Sequence, residues 1–90
     1  MQISNMINSK GNAVKNQFII HTNKGVYFKS YDSVIAFIPN NGDSIEIGAD
    51  WDCSPTTGTY RNMFLDETKK DTRRKLDTGV YVYNPDLKIE

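Results

Sequence analysis

Residues 17–30 read QFIIHTNKGVYFKS, and this stretch decides the fold class. An apolar run at 18–20 is followed by Asn-Lys-Gly at 23–25, and residues 26–30 then alternate with the period of a half-buried strand. Gly25 can adopt the positive φ that a tight turn requires. The stretch therefore predicts two antiparallel strands joined by a turn.

Further strands are predicted on the carboxyl side of this pair. Residues 34–38 are apolar at every position, which is typical of a central strand. Asn-Asn-Gly at 40–42 indicates a second turn, and residues 44–47 alternate again. Residues 80–83 form a last strand that Pro85 ends. We predict a β-meander of four or five mainly antiparallel strands.

The period changes from strand to helix after residue 51. Tyr60, Met63 and Phe64 fall on one helical face, and Thr56 or Thr57 is a suitable N-cap. These residues predict a helix whose apolar face packs against the sheet.

The helical pattern extends to about residue 77. Asp66 either caps a second helical stretch or lies inside one continuous helix. Asp71 and Lys75 form a favourable i, i+4 pair, and Gly79 is a typical helix stop. We predict an α+β fold in which one helical region, about residues 57–77, packs on one face of the sheet.

Length and composition indicate one globular domain, residues 1–90. Apolar residues make up 38% of the chain and charged residues 24%, which is ordinary for a folded domain. Residues 1–10 are polar and are expected to be the least ordered. The formal net charge is zero, so the chain as a whole has no electrostatic attraction to nucleic acid or to anionic membranes.

Cysteine usage and hydropathy indicate the compartment. Cys53 is the only cysteine and cannot form an intramolecular disulfide. The amino terminus lacks the pattern of a signal peptide, and no apolar run approaches the roughly 18 residues of a membrane span. We predict a cytoplasmic protein.

Residues 51–65 read WDCSPTTGTYRNMFL. This order resembles a widespread family of short uncharacterised bacteriophage and prophage proteins with the pattern W-D-x-S-x-T-T-x-x-Y-R-N-x-F-L. The resemblance covers roughly residues 11–83, and Cys53 and Pro55 depart from the family, where an aromatic and a basic residue are more frequent. It implies a phage origin, action in the host cytoplasm and no established activity. The matching positions are Trp51, Asp52, Ser54, Thr56, Thr57, Tyr60, Arg61, Asn62, Phe64 and Leu65.

The residues 51–65, which we call the motif segment, have a structural and a functional interpretation. In the structural one the polar residues cap the helix, Arg61 pairs with Asp52, and the apolar residues fill the core. In the functional one Arg61 and Asn62 form a contact surface. Both can hold at once. The apolar residues concerned are Trp51, Tyr60, Met63, Phe64 and Leu65.

Two surfaces are candidates for binding. Four basic residues at i, i+4 spacing form a cationic stripe, which either tracks phosphates or is a solvated helix face. Sheet tyrosines either stack on bases and anchor a partner, or pack across strands. The basic residues are Lys69, Lys70, Arg73 and Arg74, and the tyrosines are Tyr27, Tyr31, Tyr81 and Tyr83.

The sequence offers no catalytic, metal or cofactor site. Residues 50–61 superficially match a calcium loop, but Pro55 and Arg61 occupy the positions that need glycine and glutamate. One cysteine and one histidine, His21, cannot build a zinc site, and the scattered glycines form no phosphate loop. We therefore predict a protein that is not an enzyme.

The leading functional prediction is a phage accessory protein that binds a host macromolecule stoichiometrically, such as a defence or gene-expression component. The alternative is a small nucleic-acid-binding module. A homodimer is compatible with either, and a membrane is not expected as a partner. The candidate contact residues are Arg61, Asn62, Lys69, Lys70, Arg73, Arg74, Tyr81 and Tyr83.

Overall fold

A computed structural model describes residues 1–90 as one six-stranded sheet and two helices. Strands β1 to β5 follow one another in antiparallel order, and β6 joins the far edge parallel to β5. The α+β class and the meander are confirmed, with one strand more than the upper expectation. The elements are β1 (Gln2–Ile7), β2 (Ala13–His21), β3 (Gly25–Ser30), β4 (Ser33–Pro39), β5 (Glu46–Ile47), α1 (Pro55–Leu65), α2 (Lys69–Asp77) and β6 (Val82–Tyr83).

The amino-terminal segment contributes the additional strand. Residues 1–10, expected to be the least ordered, include β1, which pairs with β2 over its length. Met6 anchors this strand because its side chain is buried against the core. The pairing is irregular in the middle, since Asn5 lies opposite Phe18 whereas Ile7 lies opposite Ala13.

Apolar side chains cover both faces of the sheet. On the helix face, Phe28 and Ile35 form the centre of the core, and Trp51, Tyr60 and Phe64 pack against it. The helices α1 and α2 therefore occupy this face, as expected. Met63, expected in the same core, is instead 49% exposed.

The second face of the sheet is covered by the carboxyl-terminal tail. Tyr27 and Phe37 stack there with ring centroids 4.2 Å apart, and Leu87 and Ile89 pack against them. Tyr27 is consequently buried, so it is not one of the exposed sheet tyrosines that the sequence suggested.

The helix α1 begins one step earlier than expected. Ser54, rather than Thr56 or Thr57, is the N-cap, and its side chain accepts a hydrogen bond from the Thr57 backbone N–H. Pro55 then occupies the first helical turn, where its missing N–H costs nothing.

The predicted helical region is two helices. The helix α1 ends at Leu65 because Asp66 adopts the left-handed conformation, with φ of 54°. A capping box then starts α2: Thr68 and Asp71 exchange side-chain to backbone hydrogen bonds. The possibility that Asp66 marks a second helical stretch is the one that the structure shows.

Candidate functional site

Arg61 lies in the interior of the motif segment. Its side chain is 1% exposed, and its guanidinium donates hydrogen bonds to the Trp51 carbonyl and, at 3.0 Å, to Asn62 Oδ1. The expected pairing with Asp52 is confirmed, at 3.9 Å between Nη1 and Oδ1. The expectation that Arg61 contacts a partner at the surface is wrong, because its neighbours enclose it.

The environment of Arg61 is electrostatically mixed. Burial lowers the pKa of its guanidinium, and the charges of Asp52 and Glu67 act in the opposite direction. The Nε atom is buried without a hydrogen-bond partner. The guanidinium also lies over the Trp51 ring, 5.1 Å from its centroid, so that packing supplies part of what hydrogen bonding leaves out.

Asp52 connects the motif segment to α2. Its carboxylate lies 2.8 Å from Lys69 Nζ and 3.9 Å from a guanidinium nitrogen of Arg73. The Arg73 guanidinium lies over the Trp51 ring as well, at 5.2 Å. Two of the four residues in the cationic stripe are therefore neutralised in part within the chain.

A second buried charge, Glu67, lies between the two helices. Its side chain is 5% exposed and accepts hydrogen bonds from Lys75 Nζ at 2.6 Å, Thr72 Oγ1 at 2.6 Å and the Tyr81 hydroxyl at 2.7 Å. Sequence reasoning missed this cluster and paired Lys75 with Asp71. That pairing is wrong, because Lys75 turns to Glu67 and Asp71 lies 3.5 Å from Arg74.

The Glu67 cluster shifts three pKa values in directions that its hydrogen bonds explain. Burial raises the pKa of Glu67, but the bonds from Lys75, Thr72 and Tyr81 outweigh this, so the pKa is lowered overall. The bond to Glu67 raises the pKa of Lys75. Burial, with the bond to Glu67, raises the pKa of Tyr81 to about 12. The cluster is thus most stable in the form with charged Glu67 and neutral Tyr81.

The predicted surface residues divide into two groups. Tyr81 is 6% exposed and belongs to the core, so its prediction as a contact residue is wrong, whereas Tyr83 is 54% exposed. Asn62 is half-buried beside Arg61. The four stripe residues are all exposed, and only Lys70 among them makes no ion pair: Lys69, Lys70, Arg73 and Arg74.

Two clefts open on the surface. One, of about 520 Å³, lies on the second face between the turn at residues 23–24 and the tail at 84–90. The other, of about 490 Å³, lies beside the start of α1. Cys53 borders this second cleft, and its Sγ donates a hydrogen bond to Thr57 Oγ1 at 3.5 Å. No group of three or more His, Cys, Asp or Glu residues is placed to hold a metal ion.

Residues 1–79 match the model of a family of unknown function (DUF8033), and the chain belongs to that family. The matched part runs from β1 to the end of α2 and stops before β6. No curated protein and no solved structure matches the chain. No helix has both the length and the hydropathy needed to cross a membrane.

Proposed function

We propose that the protein is a non-catalytic phage accessory protein that binds a host protein stoichiometrically, with a defence or gene-expression component as the kind of target. The phage part of this proposal derives from the resemblance of residues 51–65 to bacteriophage and prophage proteins. The binding part derives from the surface described next.

The observation that carries the proposal is an apolar rim on the β6 edge of the sheet. Val80, Val82 and Tyr83 are 54%, 46% and 54% exposed, although they lie within four residues of one another. Clustered apolar side chains of this kind gain free energy when a partner removes them from water. Tyrosine is also among the residues that most often dominate binding energy at interfaces.

The backbone of the same rim is available for pairing. The N–H groups of Val82 and Asn84 donate to carbonyls of β5, at 2.9 and 2.8 Å. Because backbone groups alternate in direction along a strand, those of Tyr83 point away from β5. A partner strand could therefore add to the sheet at Tyr83 while its side chains cover the rim.

Positive charge lies close to this rim. The Tyr81 N–H donates to the Lys75 carbonyl at 3.0 Å, so β6 starts beside the end of α2. The exposed side chains of Lys70 and Arg74 belong to the same helix. A partner with an apolar pocket bordered by carboxylates would complement both features.

Affinity purification from host lysate tests the proposal. The wild-type chain should retain one protein in a fixed molar ratio, and Tyr83→Asp should lose it. Met63→Asp is the matched control, because Met63 is similarly exposed, at 49%, but lies on α1 away from the rim. Recovery of no specific protein, or equal recovery with all three chains, would count against the proposal.

A nucleic-acid-binding module is the alternative, and the exposure of Lys69, Lys70, Arg73 and Arg74 favours it. It predicts fluorescence-anisotropy binding to labelled DNA or RNA that weakens steeply with salt and disappears on charge reversal of these four residues. Burial of Tyr27 and Tyr81 removes the stacking platform that this function would use. No binding at low salt would exclude it.

A further inference from the structure

The opposite edge of the sheet, β1, lacks the usual protection against pairing with another chain. Exposed edge strands of monomeric proteins commonly carry charged residues or proline, which block such pairing. The strand β1 reads QISNMI and contains neither. Ile3 and Ile7 are in addition 57% and 49% exposed.

The hydrogen bonds of β2 show in which direction its backbone groups point. The Thr22 N–H donates to the Gly25 carbonyl at 2.9 Å, and the Tyr31 N–H donates to the Asn16 carbonyl at 2.7 Å. Even-numbered residues of β2 are therefore bonded to β3, and the odd-numbered residues direct their backbone groups toward β1.

The same alternation identifies the free groups of β1. Gln2 and Ser4 lie opposite odd-numbered residues of β2, so their backbone groups bond to β2. Beyond the irregular register, the Asn8 N–H donates back to the Asn12 carbonyl. The residues between, Ile3, Asn5 and Ile7, direct their N–H and C=O groups outward, where the sheet offers no partner.

We propose that β1 pairs antiparallel with β1 of a second copy of the chain, about a two-fold axis through Asn5. This register uses all three outward-facing residues, and it places each Ile3 against Ile7 of the other copy. Two six-stranded sheets then join into one.

The side chains of β1 favour this occupant because the strand is complementary to itself. About Asn5, apolar Ile3 meets apolar Ile7, and polar Gln2 meets polar Asn8. A shift to an axis through Ser4 would instead place Ile3 against Asn5. Since residues 2–9 carry no charged side chain, the pairing brings no like charges together.

A cysteine placed on the axis tests the register. In a Cys53→Ser background, Asn5→Cys brings two cysteines face to face with Cα atoms about 5.5 Å apart, which a disulfide can span. Ile3→Cys in the same background is the matched control, because its two copies lie about 13 Å apart along the strands. Mild oxidation should cross-link the Asn5→Cys chain alone. Cross-linking of the Ile3→Cys chain and not of the Asn5→Cys chain overturns the proposal.

Sedimentation equilibrium tests the association itself. The wild-type chain should dimerise, and Ile3→Lys should raise the dimer dissociation constant at least about tenfold by placing a charge on the paired edge. Val82→Lys, the same kind of change on the opposite edge, should leave that constant unaltered, and circular dichroism should show both variants folded. A wild-type chain that stays monomeric, or an Ile3→Lys chain that dimerises equally well, overturns the proposal.

Discussion

Arg61 and Glu67 are both almost fully buried, six positions apart in the chain, yet the protein accommodates the two charges differently. Glu67 receives three hydrogen bonds from side chains, one of them from a lysine ammonium. Arg61 keeps an unpartnered Nε and lies over an indole ring. The carboxylate is stabilised by hydrogen bonds and an ion pair, and the guanidinium in large part by packing.

The two residues also connect different parts of the fold. Arg61 holds the motif segment in place around Trp51, close to its own helix. Glu67 joins the connection between the helices to α2 and, through Tyr81, to the start of β6. We therefore expect loss of Arg61 to open the core under α1, and loss of Glu67 to loosen α2 and β6.

The largest effect is expected from Arg61→Ala, which removes a fully buried side chain together with its hydrogen bonds. The free energy of unfolding should fall by about 3–5 kcal/mol, as for other large-to-small changes in a core. Urea denaturation measures it. Arg73→Ala is the matched control, because Arg73 also lies over Trp51 but is exposed, and its cost should stay within about 0.5 kcal/mol. Equal costs would show that Arg61 is not a core residue.

Glu67→Gln should have a smaller effect, since the amide keeps part of the hydrogen bonding and loses the charge. A loss of about 2 kcal/mol at neutral pH is expected. Because the folded-state pKa of Glu67 is lowered, its contribution is present above the ordinary glutamate pKa of about 4.3 and is lost as pH falls through the folded value. The difference between wild type and variant should therefore shrink in acid. A difference that is constant from pH 7 to pH 3 would contradict this account, and exposed Asp66→Asn is the control.

Tyr81→Phe should have the smallest effect, about 1 kcal/mol, because it removes one hydrogen bond and leaves the ring packed. The pKa of Tyr81 is raised to about 12, so the stability from its neutral hydroxyl is present below the ordinary value of about 10 and is lost as pH rises from there to about 12. Alkaline denaturation should show this loss in wild type and in Tyr83→Phe, but not in Tyr81→Phe. The same alkaline loss in Tyr81→Phe would assign it to another group.

Local patterns predicted the sheet well because strand periodicity and turn chemistry are encoded by neighbouring residues. Gly25, expected to take positive φ in the turn, has φ of 155°, and a side chain there would collide with the Ile38 carbonyl. The strand β1 was underestimated because its side chains are mostly polar and only Met6 is buried. Its pairing depends on β2 and is not encoded in its own pattern.

The burial of polar residues in the candidate site was beyond such patterns. Arginine, glutamate and tyrosine are usually at least partly exposed, so Arg61 and Tyr81 were assigned to the surface. Glu67 and Tyr81 meet only because α2 returns toward the sheet, which places residues fourteen apart in hydrogen-bond contact. The exposure of Tyr83 and of the cationic stripe, by contrast, could be predicted because short polar-rich segments rarely find cover.

The order of strands in the sheet has a consequence for how the chain folds. Strands β1 to β5 each pair with the strand before them, so four pairings can close through short loops and should form early. The pairing of β6 with β5 spans both helices and must wait until they have docked. We expect hydrogen-exchange labelling during refolding to protect the amides of β3 and β4 first and those of Val82 and Asn84 last.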